Sequence, residues 1–306
     1  MPNDPRPTKA QRQADARARA AELRKQQERS AKRGRVIGIA VAVVAVLGLA
    51  AVIVAVTVNS AKTKAEYAQV AFGGETANVV APALADVQAP STADETGGIP
   101  VSDEGVGVAG EGDTVLSVYF DLQCPACRTF DSINAEDLKA LAAEPGITVL
   151  YQPLSFLDET SLGTRYATRA GNALMVVADQ APEHFQDFLT QLYVNQPEEN
   201  TRGIPDSTIA EVAAEVGVPQ GVIDEFTTVV EGTYQVSDAD GNLTEQTGSW
   251  RTYAPFLAAA TSHASQLLPQ LATPTLLLDG AEIDAEAVSW SVPGALAAYV
   301  RAAAAA

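Results

Sequence analysis

Apolar residues along this chain of 306 residues form one long uninterrupted run followed by many short segments. The long run covers residues 36–58, where 23 successive positions carry no charge. Because a helix needs about 20 apolar residues to cross the hydrocarbon core of a bilayer, the run predicts a transmembrane helix. The competing interpretation is a signal peptide cleaved after Ala55 or Ala61, although the apolar region of such peptides is normally only about 7–15 residues long.

The short apolar segments show strand and helix patterns in alternation. Residues 115–120 form an apolar, β-branched and aromatic run that is typical of a buried strand, and residues 147–151 form another. Residues 128–141, between them, carry apolar side chains at helical spacing. A weaker alternation in residues 99–108 predicts a short edge strand. Together these segments predict an α/β domain.

Beyond this point the spacing predicts five further helices, over residues 161–178, 182–194, 206–216, 219–230 and 250–268. A stretch rich in Gly, Ser, Asp and Thr, residues 232–249, predicts a loop. Near the C-terminus, residues 276–278 and 281–283 predict two strands joined by a turn at Asp279-Gly280. Residues 293–302 predict a final helix.

Charge divides the chain into regions. Residues 1–35 have a net charge of +7, whereas the remaining residues sum to −25. An excess of Lys and Arg before the span predicts a cytoplasmic arm over 1–35 and an extracytoplasmic location for everything after residue 58. Residues 59–98, rich in Gly, Pro, Ala and acidic residues, predict a flexible stalk that precedes a domain over 99–306. The acidic body argues against nucleic acid as a partner, because phosphates repel it.

The chain has two cysteines, which form the motif Cys124-Pro125-Ala126-Cys127 between a predicted strand and a predicted helix. Pro125 suits the first turn of a helix, where its missing N–H is no loss. The unpaired N–H groups and the partial positive charge at a helix N-terminus favour a thiolate, which is the reactive form of cysteine. The spacing therefore predicts a redox pair in which Cys124 is exposed and attacks, and Cys127 is buried and resolves the mixed disulfide.

Two other interpretations of the cysteine pair stay open. A structural disulfide is compatible with an extracytoplasmic setting, but so short a loop restricts the unfolded chain little. A zinc site normally needs four ligands, and the chain offers only His184 and His263 besides the two cysteines. We assign no chemistry to these histidines, and we expect no metal site and no cofactor.

Two motifs resemble those of a known family. The sequence Asp-Leu-Gln-Cys-Pro-Ala-Cys over residues 121–127 and the sequence Thr-Pro-Thr over 273–275 resemble the DsbA-like branch of the thioredoxin superfamily, in its membrane-tethered Gram-positive form. The resemblance covers residues 99–302. It implies a thioredoxin-like α/β fold with a helical insertion at about 161–268, a cis peptide bond before Pro274, and a substrate-facing backbone contact at Thr273.

The chain departs from the family at two positions. Ala126 stands where strong oxidants often have His, and Val118 stands where many relatives have a buried acidic proton acceptor. Asp121 is the nearest acid, and we expect it to cap the turn before Cys124 rather than accept protons. Both departures bear on the direction of the reaction, because a less stabilised thiolate makes a pair less oxidising.

These observations predict a single-pass protein of the cell membrane whose extracytoplasmic domain is a protein thiol–disulfide oxidoreductase. We expect it to act as an oxidase on thiols of secreted or envelope proteins and to be reoxidised by a membrane redox partner. A disulfide reductase or isomerase is the alternative within the same class. A thioredoxin-like module that binds partners without redox activity is the alternative from another class.

Overall fold

The computed structural model describes residues 9–67, 72, 78–284 and 288–306. The chain divides into two compact units, residues 1–59 and 60–306. Helix α1 covers Lys9–Glu66 and includes the uncharged run. Within the described residues, no helix combines the length and the apolar character that crossing a membrane requires. The transmembrane helix predicted over residues 36–58 is therefore not confirmed.

Strands of the second unit form two sheets. The strands are β1 (Ile99–Ser102), β2 (Gly105–Val106), β3 (Thr114–Asp121), β4 (Ile147–Leu154), β5 (Val229–Ser237), β6 (Leu243–Arg251), β7 (Thr275–Leu278) and β8 (Ala281–Glu282). The larger sheet has the order β2-β1-β4-β3-β7-β8, and β5 pairs with β6. β3 and β4 are parallel, and the other neighbours are antiparallel.

The two central strands confirm the predicted buried runs and extend them. Every residue of β4 is buried, so both faces of this strand are covered. In register, Leu116 of β3 lies opposite Val149 of β4 and Leu278 of β7. Parallel strands need a crossover connection, and a helix over Pro125–Ala142, named α2, supplies it. The redox motif therefore lies where β3 ends and α2 begins.

The remaining helices pack on the larger sheet or on one another. They are α3 (Tyr166–Gln180), α4 (Phe185–Val194), α5 (Asp206–Glu215), α6 (Gln220–Ile223), α7 (Ala254–Leu267) and α8 (Ala295–Ala304). Large buried side chains of α2, α3 and α4, among them Phe130, Leu174 and Phe188, belong to one hydrophobic core together with the sheet. The predicted helix over 219–230 is wrong at its end, because α6 is followed by a 3₁₀-helix over Asp224–Thr227 and β5 begins at Val229.

The loop predicted over residues 232–249 is wrong, since β5 and β6 form an antiparallel hairpin there. The glycines that suggested a loop make room for aromatic rings. A Cβ at Gly232 would lie 2.7 Å from Cη2 of Trp250, and one at Gly248 would lie 2.9 Å from Cε1 of Tyr234. The two rings meet edge to face with centroids 6.3 Å apart. The insertion predicted as helical therefore also contains a β-hairpin.

The predicted flexible stalk over 59–98 differs from the structure in its described second part, residues 78–98. Val80 donates its backbone N–H to Gln235 O (2.9 Å), and Ser237 donates its own to Asn78 O (2.9 Å), so this segment extends the hairpin edge. The Thr92 hydroxyl donates to Ala178 O at 2.9 Å. The composition of the segment did not reveal these hydrogen bonds to the backbone of distant residues. Residues 68–71 and 73–77 of the predicted stalk lie outside the described residues.

Candidate active site

The two cysteines lie at the N-terminus of α2. Cys124 is the residue before the helix, with extended backbone angles (φ −76°, ψ 118°), and Pro125 is the first helical residue. The Cys124 N–H donates to the carbonyl of Asp121 at 3.0 Å, which closes the turn that leads out of β3. Proline fits this first position because its fixed φ suits a helix and no N–H is needed there. The local sequence thus directs the Cys124 side chain toward the unpaired N–H groups of the first turn.

Both cysteines are free thiols, and both are largely buried. Cys124 is 7% exposed and Cys127 is 1% exposed. The prediction of an exposed Cys124 is therefore wrong in degree, although Cys124 is the more accessible of the two. The exposed residues of the motif are Pro125 and Ala126, which lie between the two cysteines.

The environment shifts the pKa values of the two thiols in opposite directions. A hydrogen bond from the Cys127 thiol is the main cause that lowers the pKa of Cys124, to about 6, against the effect of burial. The Thr273 hydroxyl and the backbone N–H groups of Cys127 and Ala126 lower it further. Burial is the main cause that raises the pKa of Cys127, and the neighbouring Cys124 adds to it. At neutral pH the pair therefore holds one thiolate, on Cys124, and one proton, on Cys127.

The loop before β7 covers this pair. The peptide bond between Thr273 and Pro274 is cis, as the family resemblance implies. The carbonyl oxygen of Thr273 lies 3.3 Å from the Sγ of Cys124 and accepts a hydrogen bond from it while Cys124 is protonated. Thr273 and Cys124 are 149 residues apart in the chain, and the antiparallel pairing of β7 with β3 brings them together. The substrate contact predicted for the Thr273 backbone stays a prediction.

Asp121 is fully buried beneath the motif. Its Oδ1 accepts the N–H of Gln123 at 2.8 Å, so it caps the turn as predicted, and its Oδ2 accepts the N–H of Leu157 at 3.0 Å. Burial raises the pKa of Asp121 to about 8 in spite of these two hydrogen bonds, with the charges of Asp158 and Cys124 contributing. The site therefore contains a buried carboxyl group that is protonated at neutral pH. Val118, where relatives carry an acid, is a buried apolar residue here.

A segment at the end of α4, residues 193–198, completes the site, and sequence reasoning missed it. The Gln196 side-chain amide donates to the carbonyls of Leu122 and Cys124, both at 2.9 Å. The Tyr193 hydroxyl donates to the carbonyl of Asp121 at 3.3 Å. The segment lies about 70 residues after the motif and contains no cysteine or histidine, so its composition does not point to this role.

A pocket of about 390 Å³ lies beside the motif, between α2 and α4. Its lining includes Arg128, Asp131, Thr190 and Tyr193. Burial raises the pKa of Asp131 to about 6. In the part of the chain that the structure describes, no three His, Cys, Asp or Glu side chains are grouped closely enough to hold a metal ion.

Comparisons with known proteins agree with this geometry. A family model described as thioredoxin matches residues 109–292. The thiol-disulfide oxidoreductase MdbA from Actinomyces oris aligns in structure with a TM-score of 0.52 and 18% identity, covering 72% of this chain and 99% of MdbA. Reduced DsbA from Mycobacterium tuberculosis aligns with a TM-score of 0.48 and 22% identity, covering 67% of this chain and 91% of DsbA. At 18% identity, the structural similarity to MdbA shows that the two proteins share a fold.

One curated relative is a larger protein. The serine/threonine-protein kinase PknE of Mycobacterium tuberculosis is 29% identical over 152 residues, which are 48% of this chain and 26% of the kinase. The chain thus spans about a quarter of the length of that relative. The thioredoxin model, by contrast, covers more than half of the chain and includes the cysteine motif and the cis-proline loop. The chain therefore belongs to the thioredoxin family.

Proposed function

We propose that this protein is a thiol–disulfide oxidoreductase that oxidises the thiols of secreted or envelope proteins through Cys124 and Cys127. The observation that carries the proposal is the opposite shift of two adjacent thiol pKa values, lowered at Cys124 and raised at Cys127, at a helix N-terminus under a cis-proline loop. A purely structural disulfide needs no such difference. A thiol with a low pKa, in contrast, is both a thiolate at neutral pH and a good leaving group.

The reaction begins with Cys124 and Cys127 joined as a disulfide. A substrate thiolate attacks the Sγ of Cys124, the bond between the two cysteines breaks, and Cys127 leaves as a thiolate that takes up a proton. A second substrate thiolate then attacks the substrate sulfur of the mixed disulfide. The substrate disulfide forms, and Cys124 leaves as a thiolate. Two electrons have passed from the substrate to the cysteine pair, and a membrane redox partner accepts them when the pair is reoxidised.

Location at the cell membrane is part of the same proposal. The uncharged run over residues 36–58 and the basic arm before it support a single span with the N-terminus in the cytoplasm. Apolar side chains in the middle of the run, for example Val44 and Leu47, are 69% and 63% exposed on α1. An apolar helix surface of this kind needs a covering, and lipid would provide it.

A second candidate function differs from this proposal in the direction of electron flow. Ala126 is exposed and offers no side-chain hydrogen bond to the Cys124 thiolate. This observation favours a less oxidising pair and keeps a reductase or isomerase as the second candidate.

The reduction potential of the pair separates an oxidase from a reductase. The full chain would be equilibrated with glutathione buffers, and the fraction of reduced Cys124 and Cys127 measured by thiol alkylation. We expect a potential between about −120 and −180 mV, the range of strong oxidants and isomerases. A potential near about −270 mV would contradict the oxidase and support a reductase.

A trapping experiment separates an enzyme from a binding module. Cys127→Ser removes the resolving thiol, so mixed disulfides between Cys124 and substrate proteins should accumulate in cells. Cys124→Ser is the matched control, since its remaining thiol is buried and has a raised pKa. If neither variant gives covalent adducts that a reductant releases, the protein is not an oxidoreductase of cellular thiols.

A further inference from the structure

The backbone on both sides of Cys124 is held by a glutamine from a distant part of the chain. Leu122 and Gln123 lie outside regular structure, between the end of β3 and the start of α2. Gln196 follows α4 and is 7% exposed. Its Nε2 is 2.9 Å from the carbonyl oxygen of Leu122 and 2.9 Å from that of Cys124. Both hydrogens of one amide nitrogen are therefore used to join the two carbonyls that flank Gln123.

Neighbouring contacts fasten the same segment to the motif. The Gln123 side-chain amide is fully buried and lies 3.4 Å from the carbonyl oxygen of Pro197. Arg128, in the first turn of α2, forms an ion pair with Glu198 at 3.3 Å. This ion pair is exposed and contributes little, whereas the buried amide bonds contribute more, because an unpaired buried carbonyl is costly.

We infer that Gln196 is a positioning residue, which holds the peptide groups around Cys124 in the orientation in which its sulfur faces the N-terminus of α2. The inference rests on the proposed function, because it concerns the reactivity of the same sulfur. The N–H groups of Ala126 and Cys127 stabilise the Cys124 thiolate only while the Cα–Cβ bond of Cys124 directs the sulfur at them, since hydrogen bonds weaken steeply when bent. Two bonds from one planar amide fix that direction.

The test replaces the donor without changing the volume of the side chain. Gln196→Met keeps the size and removes both hydrogen bonds. The matched control is Gln191→Met, on α4, because the Gln191 side chain has no hydrogen bond within the described structure. In the reduced full chain, thiolate absorbance at 240 nm would be followed against pH. Because the chain has only two cysteines and the pKa of Cys127 is raised, the first transition reports Cys124.

We expect Gln196→Met to raise the pKa of Cys124 by about one unit and Gln191→Met to leave it unchanged. The thiolate would then be about tenfold less stabilised, and the reduction potential would fall by about 30 mV. Gln196→Leu, which also lacks a donor and carries no charge, should raise the pKa to a similar extent and provides the test if the Met variant does not fold.

The outcomes distinguish the positioning role from the proposed function. If a folded Gln196 variant loses stability but keeps the pKa and potential of the unchanged protein, Gln196 is a packing residue and the inference is overturned. If the unchanged protein does not exchange with glutathione at all, the proposed function fails, whatever the variants do. If the unchanged protein exchanges and only the Gln196 variants are shifted, both stand.

Discussion

The junction between β3 and α2 and the hairpin of β5 and β6 use buried groups in different ways. The junction buries groups that can ionise, namely Cys124, Cys127 and Asp121, and each has a shifted pKa. The hairpin buries aromatic rings, with Tyr234 and Trp250 packed edge to face. At the junction, hydrogen bonds to the Cys124 sulfur outweigh burial and lower its pKa, whereas burial raises the pKa of Cys127 and of Asp121. Burial at the hairpin contributes stability alone.

This comparison predicts that substitutions at the two regions separate activity from stability. The largest effect belongs to Cys124→Ser, which removes the only accessible thiolate. We expect disulfide exchange to fall to the rate of buffer alone, measured with glutathione and with an unfolded protein thiol. The free energy of unfolding should change by no more than about 1 kcal/mol, because the site keeps its shape. Exchange at a substantial rate through Cys127 would contradict the assigned order of the two thiols.

The hairpin should show the reverse behaviour. Trp250 is 9% exposed and also contacts Phe72 edge to face, with ring centroids 5.3 Å apart. Trp250→Ala should lower the free energy of unfolding by about 3–5 kcal/mol in urea titrations. The pKa of Cys124 in the remaining folded protein should not move. A shifted pKa would show that the hairpin and the junction are coupled.

A smaller effect tests whether the hairpin glycines are structural. Gly232→Ala would place a methyl group against the ring of Trp250, and overpacking of this kind costs about 1–3 kcal/mol. Gly221→Ala, in α6, is the control, because a Cβ there meets no atom within 4 Å. The control should be neutral or stabilising, since alanine favours a helix. Equal effects at the two positions would argue against the packing explanation.

The last prediction concerns the pH dependence that Asp121 adds to stability, which is small at each step of pH. Burial raises its pKa in the folded protein to about 8, above an unfolded value of about 3.9. At Asp121 the folded state therefore binds more protons than the unfolded state between these values, so the contribution of this residue to stability falls as pH rises from about 4 to 8. In Asp121→Asn this fall should be weaker by about 1 kcal/mol per pH unit. An unchanged slope in urea titrations across this range would mean that Asp121 is ionised when folded.

Sequence patterns predicted the elements that depend on local or short-range signals. The runs at residues 115–120 and 147–151 became the central strands, because continuous apolar and β-branched residues have few alternatives to burial in a sheet. The order of strand, CxxC motif and helix was likewise readable, since Pro125 marks a first helical turn. The hairpin was missed because its glycines signal turns when read alone. Their role depends on Trp250 and Tyr234 across the strands.

Some features of the candidate site were likewise predicted from the sequence and others were not. Cys124 and Cys127 were identified from their spacing and their place before a helix, which implied thiol chemistry, and Pro274 and Asp121 were identified from the family resemblance. The burial of Cys124 was not predicted. Cys124 is largely buried, because the loop around Thr273 lies over it after the chain returns to pair β7 with β3. Gln196 was not identified, because a glutamine in a loop has no distinguishing pattern.

The sequence by itself determined that two cysteines stand at a helix N-terminus after a buried strand. It also contains an uncharged run that separates a basic arm from an acidic body. Only the tertiary structure decided which sulfur holds the charge. That choice depends on the burial of Cys127, the nearness of Thr273 and the backbone donors around Cys124. These groups come from segments up to 149 residues apart. A pKa depends on distance and burial in space, and spacing along a chain does not contain them.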